Sequence, residues 1–133
     1  RYVGKQTIKK IIATGKSPRE SRILVMGITF KEDVTDIRNS KVVDIINEMK
    51  DFGANVEVID PGADAQEVRH EYGLELSKEP SGLYDAVIAA VSHKEYTGLD
   101  ESYFASMLVP GGVLVDIKGI YRKKVKNLNY WSL

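Results

Sequence analysis

Arg22-Ile23-Leu24-Val25-Met26-Gly27-Ile28-Thr29-Phe30-Lys31-Glu32-Asp33-Val34-Thr35-Asp36-Ile37-Arg38-Asn39-Ser40 is the stretch on which the architecture turns. Its residues 23–26 are consecutively apolar, so they cannot alternate between core and water, and they read as a strand buried on both faces. Gly27 ends the strand. The following loop carries Lys31 and Arg38, and Asn39 or Ser40 opens an amphipathic helix. A buried strand that delivers two cations to the mouth of a helix is a natural place to hold an anion.

Outward from this stretch the same alternation continues. Val42, Val43, Ile45, Ile46 and Met49 recur at helical spacing over residues 40–52, Gly53 caps, and residues 55–59 return as a second strand, which completes a β-α-β unit. Asp60-Pro61-Gly62 stops that strand. A short helix follows over 64–72, ended by Gly73, and then a short strand over 74–76. Residues 85–92 form another buried strand, Asp100 caps a helix through Leu108, Pro110-Gly111-Gly112 turns, and 113–117 form a further buried strand. On the N-terminal side, residues 2–14 read as a helix with Val3, Ile8, Ile11 and Ile12 near one face, and Gly15 is its C-cap. That stripe either packs on the chain's own sheet or meets another domain or subunit. The tail, 121–133, is basic and then aromatic, with Tyr130 and Trp131 near its end capping the core or a subunit contact. Alternating strands and helices with continuously apolar strands define an α/β fold: an open, mostly parallel, Rossmann-like sheet with helices on both faces.

Bulk properties narrow the function. The 133 residues suffice for one domain, and 19 basic against 19 acidic side chains give zero net charge, which argues against a general nucleic-acid binder. No apolar run approaches the roughly 18 residues that span a bilayer and no leader pattern stands at the start, so neither membrane nor nucleic acid is expected as a partner, and the cytoplasm is the default location. The absence of cysteine excludes disulfides, thiolate metal sites and thiol nucleophiles within this stretch. An opening of Arg1-Tyr2 without Met suggests a piece of a longer protein.

In open parallel sheets ligands sit beyond the carboxyl ends of the strands, which here places residues 27–38, Asp60-Pro61, Ser92-His93-Lys94 and Lys118-Gly119 at the binding edge. A diphosphate needs fixed positive charge and forked donors; Lys31 and Arg38 supply a compact charge and a fork, unless both are simply solvated. Lys118, just past the last core strand, is a third cation on that edge. Asp33 and Asp36 are either acid–base or metal ligands, or shape the loop through side-chain-to-backbone bonds. Asp60 takes either a ribose hydroxyl or a structural strand-end role. His93 lacks any orienting carboxylate identifiable from sequence and reads as a loop histidine that packs or bonds to backbone, and His70 as a surface residue. The Gly-x-Gly-x-x-Gly fingerprint is absent, so this Rossmann-like domain does not hold the adenine half of NAD by itself.

The run Gly27, Phe30, Lys31, Asp33, Asp36, Arg38, Ser40 resembles the start of the C-terminal, UDP-binding domain of the UDP-glucose/GDP-mannose dehydrogenase family, whose pattern is roughly Gly-x-x-Phe-Lys-x-(Asp or Asn)-x-x-Asp-x-Arg-x-Ser. The likeness continues through Ile59-Asp60-Pro61, Val91-Ser92-His93 to Tyr96, and Val115-Asp116-Ile117-Lys118-Gly119, and so covers essentially the whole chain. The Asp-Ile-Lys-Gly and Tyr-Trp-Ser-Leu segments look most like the branch acting on UDP-N-acetylhexosamines. The resemblance implies an NAD-dependent oxidation of the sugar C6 alcohol to a carboxylate in two steps, for bacterial polysaccharide synthesis. In the family the thiohemiacetal-forming cysteine, the NAD domain and most sugar contacts lie N-terminal to this region, so the piece alone is expected to be inactive. The same resemblance implies that residues 1–16 end a connecting helix and 17–133 form the nucleotide-sugar-binding domain. It further implies that Phe30, Lys31 and Lys118 contact the UDP-sugar, that Arg38 reaches the NAD side of the cleft, and that the full enzyme is a homodimer. Where some members carry Arg, Lys118 gives up a bidentate fork. A non-catalytic binding or receiver-like signalling module is the alternative. It too would use a Lys after the last core strand, but it needs an acidic pair directly after strand one, where this chain has Met-Gly-Ile-Thr.

Overall fold

The computed structural model describes residues 2–29 and 31–133. In chain order it contains α1 (Tyr2–Ala13), a 3₁₀ turn (Pro18–Glu20), β1 (Arg22–Met26), α2 (Val42–Asp51), β2 (Asn55–Ile59), α3 (Ala65–Tyr72), β3 (Tyr84–Ala89), α4 (Lys94–Thr97), α5 (Glu101–Met107), β4 (Leu108–Asp116) and β5 (Asn129–Ser132). The strands form one five-stranded sheet in the order β2-β1-β3-β4-β5, every pairing parallel. The open parallel α/β sheet read from the sequence is therefore the observed fold.

Strand alternation assigns the two layers. Ile23 and Val25 of β1, Ala86 and Ile88 of β3, and Val113 and Val115 of β4 face one way. They pack against Val3, Ile8 and Ile11 of α1, Ile45, Ile46 and Met49 of α2, and Val68 of α3. Leu24, Met26, Val87, Ala89 and Leu114 face the other way, against Tyr96 of α4, Phe104 and Met107 of α5, and Tyr121. All four residues 23–26 are fully buried, as expected for the central strand of a sheet covered on both faces. Each such aliphatic side chain contributes about 1.5–3 kcal/mol on leaving water. Asp64 and Asp100 cap α3 and α5 by accepting from the Gln66 and Tyr103 amides, and Gly73 closes α3 in the left-handed region.

Several expectations need correction. The α1 stripe packs on the chain's own sheet and on α2, but it excludes Ile12, which is 52% exposed. The segment 74–76 supplies only one bridge, Leu76 to Val58. Residues 110–112 do not turn between two elements; they lie within β4. There the register jumps from Tyr84↔Leu108 to Ala86↔Val113, so the proline and glycines are accommodated as a bulge beside Asp85. β5 and the short α4 went unread: a four-residue strand and a single helical turn carry too little periodicity to stand out. Neither Asn39 nor Ser40 caps α2, which begins at Val42 after Lys41 with no side-chain cap bond. Among the described residues no helix is long and apolar enough to cross a membrane.

Candidate functional site

β1 connects outward to β2, and the chain then recrosses to place β3 on the opposite side of β1. The carboxyl ends of β1 and β3 therefore flank the point where the connections diverge, the position at which α/β sheets bind ligands. The segment joining β1 to α2 arches over this point and is anchored in two places.

Its first half is held over the end of β3. The Asp60 carboxylate, beyond β2, accepts the backbone N–H groups of Ile28 (2.7 Å) and Thr29 (3.1 Å) on one oxygen and that of Gly62 (2.7 Å) on the other. The Nε2 of His93, beyond β3, lies 3.1 Å from that first oxygen of Asp60 and 3.1 Å from the Thr29 hydroxyl. Thr29 donates its hydroxyl proton to the Lys31 carbonyl at 2.9 Å, while the N–H of Asp33 donates to His93 Nδ1 at 2.9 Å. The Asp33 carboxylate accepts the Lys94 N–H at 2.8 Å. Asp33 itself is left-handed, with φ 59°. The second half is tied to α3: Tyr72 donates its hydroxyl to the Ile37 carbonyl and accepts the Ser40 N–H at 3.3 Å. That amide is thus engaged by protein.

On this frame Lys31 is exposed beyond β1, and Lys118 is exposed beyond β4. The two cations stand on the same edge of the sheet, on either side of the β3 end. The turn bearing Lys118 is fixed by the fully buried Asp116, whose carboxylate accepts the N–H groups of Gly119 (3.0 Å) and Tyr121 (2.8 Å) and the Tyr130 hydroxyl (2.6 Å). Burial, followed by the hydrogen bond to Asp116 and its charge, pushes the Tyr130 phenol up to about 12. Arg38 is placed apart from the two lysines. Asp36 accepts its backbone N–H and both arms of its guanidinium at 2.9–3.1 Å. That pairing holds the Asp36 carboxyl below its ordinary range and raises Arg38. Arg38 lines an open groove of about 570 Å³ against α3, together with Asp36, Asp64, Glu67, His70 and Glu71. Four carboxylates make that groove a poor receptor for a diphosphate; the edge bearing Lys31 and Lys118 suits an anion better. Phe30 lies outside the described residues.

The loop acids resolve in favour of shaping. Asp36 orients Arg38 through an Asx-type turn, and Asp33 stitches the loop to the start of α4. Asp60 fills a structural strand-end role, accepting from three backbone N–H groups and meeting the His93 ring. What sequence reading missed is that His93 does have a carboxylate partner. Asp60 and His93 are 33 positions apart and meet only because β2 and β3 flank β1, a strand order that no local pattern reveals. Among the described residues no three His, Asp or Glu side chains cluster as a metal site. Nor do these residues fit the pyrophosphate of a dinucleotide. That needs a helix rising directly from a glycine turn, whereas here residues 28–41 separate Gly27 from α2.

Residues 24–123 match the model of the UDP-glucose/GDP-mannose dehydrogenase family, UDP binding domain. The chain is 37% identical to a UDP-N-acetyl-D-glucosamine 6-dehydrogenase of Salmonella typhi over 88% of its length, and 36% identical to the protein CapL of Staphylococcus aureus over all of it. It spans only 28% and 32% of those two proteins. The UDP-D-ManNAc dehydrogenase of Pyrococcus horikoshii shares its fold, with a TM-score of 0.80 at 15% identity over 98% of this chain and 29% of that one. The chain belongs to the UDP-glucose/GDP-mannose dehydrogenase family and corresponds to its UDP binding domain.

Proposed function

We propose that this chain is the nucleotide-sugar-binding domain of a larger NAD-dependent UDP-sugar 6-dehydrogenase, one that oxidises the sugar C6 alcohol to a carboxylate for polysaccharide synthesis. The observation that carries the reading is the pair of exposed lysines, Lys31 and Lys118, on either side of the β3 end at the divergence point of the sheet. Two compact cations on a rigid edge neutralise a diphosphate, and Phe30, next to Lys31 in the sequence, offers an aromatic or main-chain contact to the uridine side. The relatives support the substrate class: the Salmonella protein is named for UDP-N-acetyl-D-glucosamine.

In this reading residues 1–16 end a connecting helix, and 17–133 bind the UDP-sugar. NAD is carried by the N-terminal and central domains of the complete enzyme, which also supply the catalytic thiol. Arg38, on the far side of the loop from Lys31, meets NAD at the interdomain cleft. The complete enzyme is a cytoplasmic homodimer. The chain's own work is to bind and orient: it fixes the diphosphate so that the sugar is presented to the other domains.

An NMR shift titration of this chain with UDP, UDP-N-acetylglucosamine, GDP and NAD tests the assignment. Half a site should bind with a dissociation constant on the order of millimolar, near 4 kcal/mol. Shifts at Lys31 and Lys118 with the uridine nucleotides and little response to GDP are expected. Equal responses to GDP and UDP, or shifts confined to the Arg38 groove, would overturn it. In the complete enzyme, Arg38→Ala should impair NAD-dependent turnover more than UDP binding.

A further inference from the structure

His93 is 2% exposed, sits at the divergence point, and has a hydrogen-bonding pattern that specifies one protonation state. The Asp33 N–H can only donate, so Nδ1 must accept and carries no proton. The single hydroxyl proton of Thr29 goes to the Lys31 carbonyl, so Thr29 accepts from the ring. The remaining ring proton therefore lies on Nε2 and is shared between Thr29 and Asp60, each at 3.1 Å. The neutral imidazole is in contact with both ends of the segment 29–33, and that segment carries Lys31. Asp33 is a non-glycine residue at φ 59°, a backbone state that persists only where its surroundings hold it.

We infer that His93 is a positioning residue for the nucleotide-sugar: its neutral ring holds the 31–33 segment, and with it the Lys31 ammonium, in the receiving conformation. The proposal rests on the diphosphate-binding reading above. A second proton on the ring would set an N–H at Nδ1 against the N–H of Asp33, and two donors cannot bond. The ring keeps Asp60 and loses Asp33. The segment is then held at the β3 end only through the Asp33 carboxylate and the Lys94 N–H, and affinity for the diphosphate falls when the ring gains its second proton. The groups that face or border the ring are all identifiable. They are the Asp60 carboxylate from the β2 end, the Asp33 carboxylate bonded to the Lys94 N–H, and the Tyr96 ring with its centroid 5.9 Å away. Lys31, Lys94 and Glu95 lie exposed around them. Of these bonds, only that from the Asp33 N–H requires an unprotonated nitrogen.

The test is a pH series by NMR on the 133-residue chain, following the His93 ring nitrogens and the amides of Lys31, Asp33 and Lys94, with UDP-N-acetylglucosamine titrated at each pH. That ligand's diphosphate is esterified at both ends, so its charge stays constant over the range. The three amides should move with His93 protonation, and affinity should fall about tenfold, the equivalent of one hydrogen bond to a charged group. In His93→Asn the Oδ1 replaces Nδ1 as acceptor and cannot titrate, so affinity should become flat with pH and stay within about threefold of the parent's neutral value. If UDP-N-acetylglucosamine binds with the same pH profile in both proteins, or if the three amides ignore the protonation of His93, the inference fails while the binding reading stands. If the ligand produces no shift at Lys31 or Lys118 at any pH, the binding reading fails. The inference about a nucleotide-sugar fails with it, and the amide series then reports only whether the ring holds the loop.

Discussion

Tyr130 donates its hydroxyl proton to the buried carboxylate of Asp116 at 2.6 Å, linking β5 to the turn that presents Lys118. Because Asp116 also accepts two backbone N–H groups, removing the phenol leaves it partly satisfied, and Tyr130→Phe should destabilise the fold by about 1 kcal/mol. The sign of the pH effect follows from the raised phenol. Its folded value of about 12 exceeds the ordinary 10.0, so its contribution is complete below pH 10 and disappears as pH rises through 12. Urea midpoints of the parent and Tyr130→Phe should therefore converge above pH 10.

Gly27→Ala should be far more damaging. Gly27 has φ +105°, and a Cβ there would stand 2.5 Å from Val91 Cβ and 3.0 Å from the Val91 backbone nitrogen. Strain and overlap together predict a loss of about 3 kcal/mol or more. Truncating Val91 to Ala should not rescue the variant, since the nearest contact is with the Cβ that alanine retains. A double variant as stable as Val91→Ala alone would contradict this account.

Asp60→Ala would leave the N–H groups of Ile28, Thr29 and Gly62 without their acceptor, and the ring of His93 with only the Thr29 hydroxyl. A loss of about 3–5 kcal/mol is expected from orphaning so many buried donors. The amide dispersion of residues 31–33 should collapse before that of β3 and β4 does, which an NMR-detected urea titration would resolve.

Lys31→Ala and Lys118→Ala should each weaken UDP-N-acetylglucosamine binding about tenfold to a hundredfold in the complete enzyme and reduce its salt dependence, as read by calorimetry. Lys118→Arg restores a fork and should bind as tightly as the parent or more so. Unchanged affinity in both alanine variants would remove the diphosphate from this edge.

The sheet was legible because residues 23–26, 86–89 and 113–115 are apolar without interruption, as strands buried on both faces are. The positions of Lys31, Lys118 and Arg38 were legible as strand-end residues. Their separation into a lysine edge and an acid-rich arginine groove was not, because it depends on the loop leaning one way onto His93 and the other way onto Tyr72. The partnership of His93 with Asp60 was hidden for the same reason, since strand order is set by crossovers and leaves no local periodicity. β5 was hidden because its residues are only half buried and the edge of a sheet tolerates mixed polarity.

Thr29, Asp60 and His93 come from the ends of three different strands, and the loop that bears Lys31 acquires its shape only when all three have arrived. Both long crossovers must close before that happens, and closing them is the slow part of building a parallel sheet. The loop therefore completes after the folding barrier has been passed. A nucleotide-sugar held there as proposed should then act as a latch and not as a nucleus, leaving the folding rate unchanged and appearing entirely as slower unfolding.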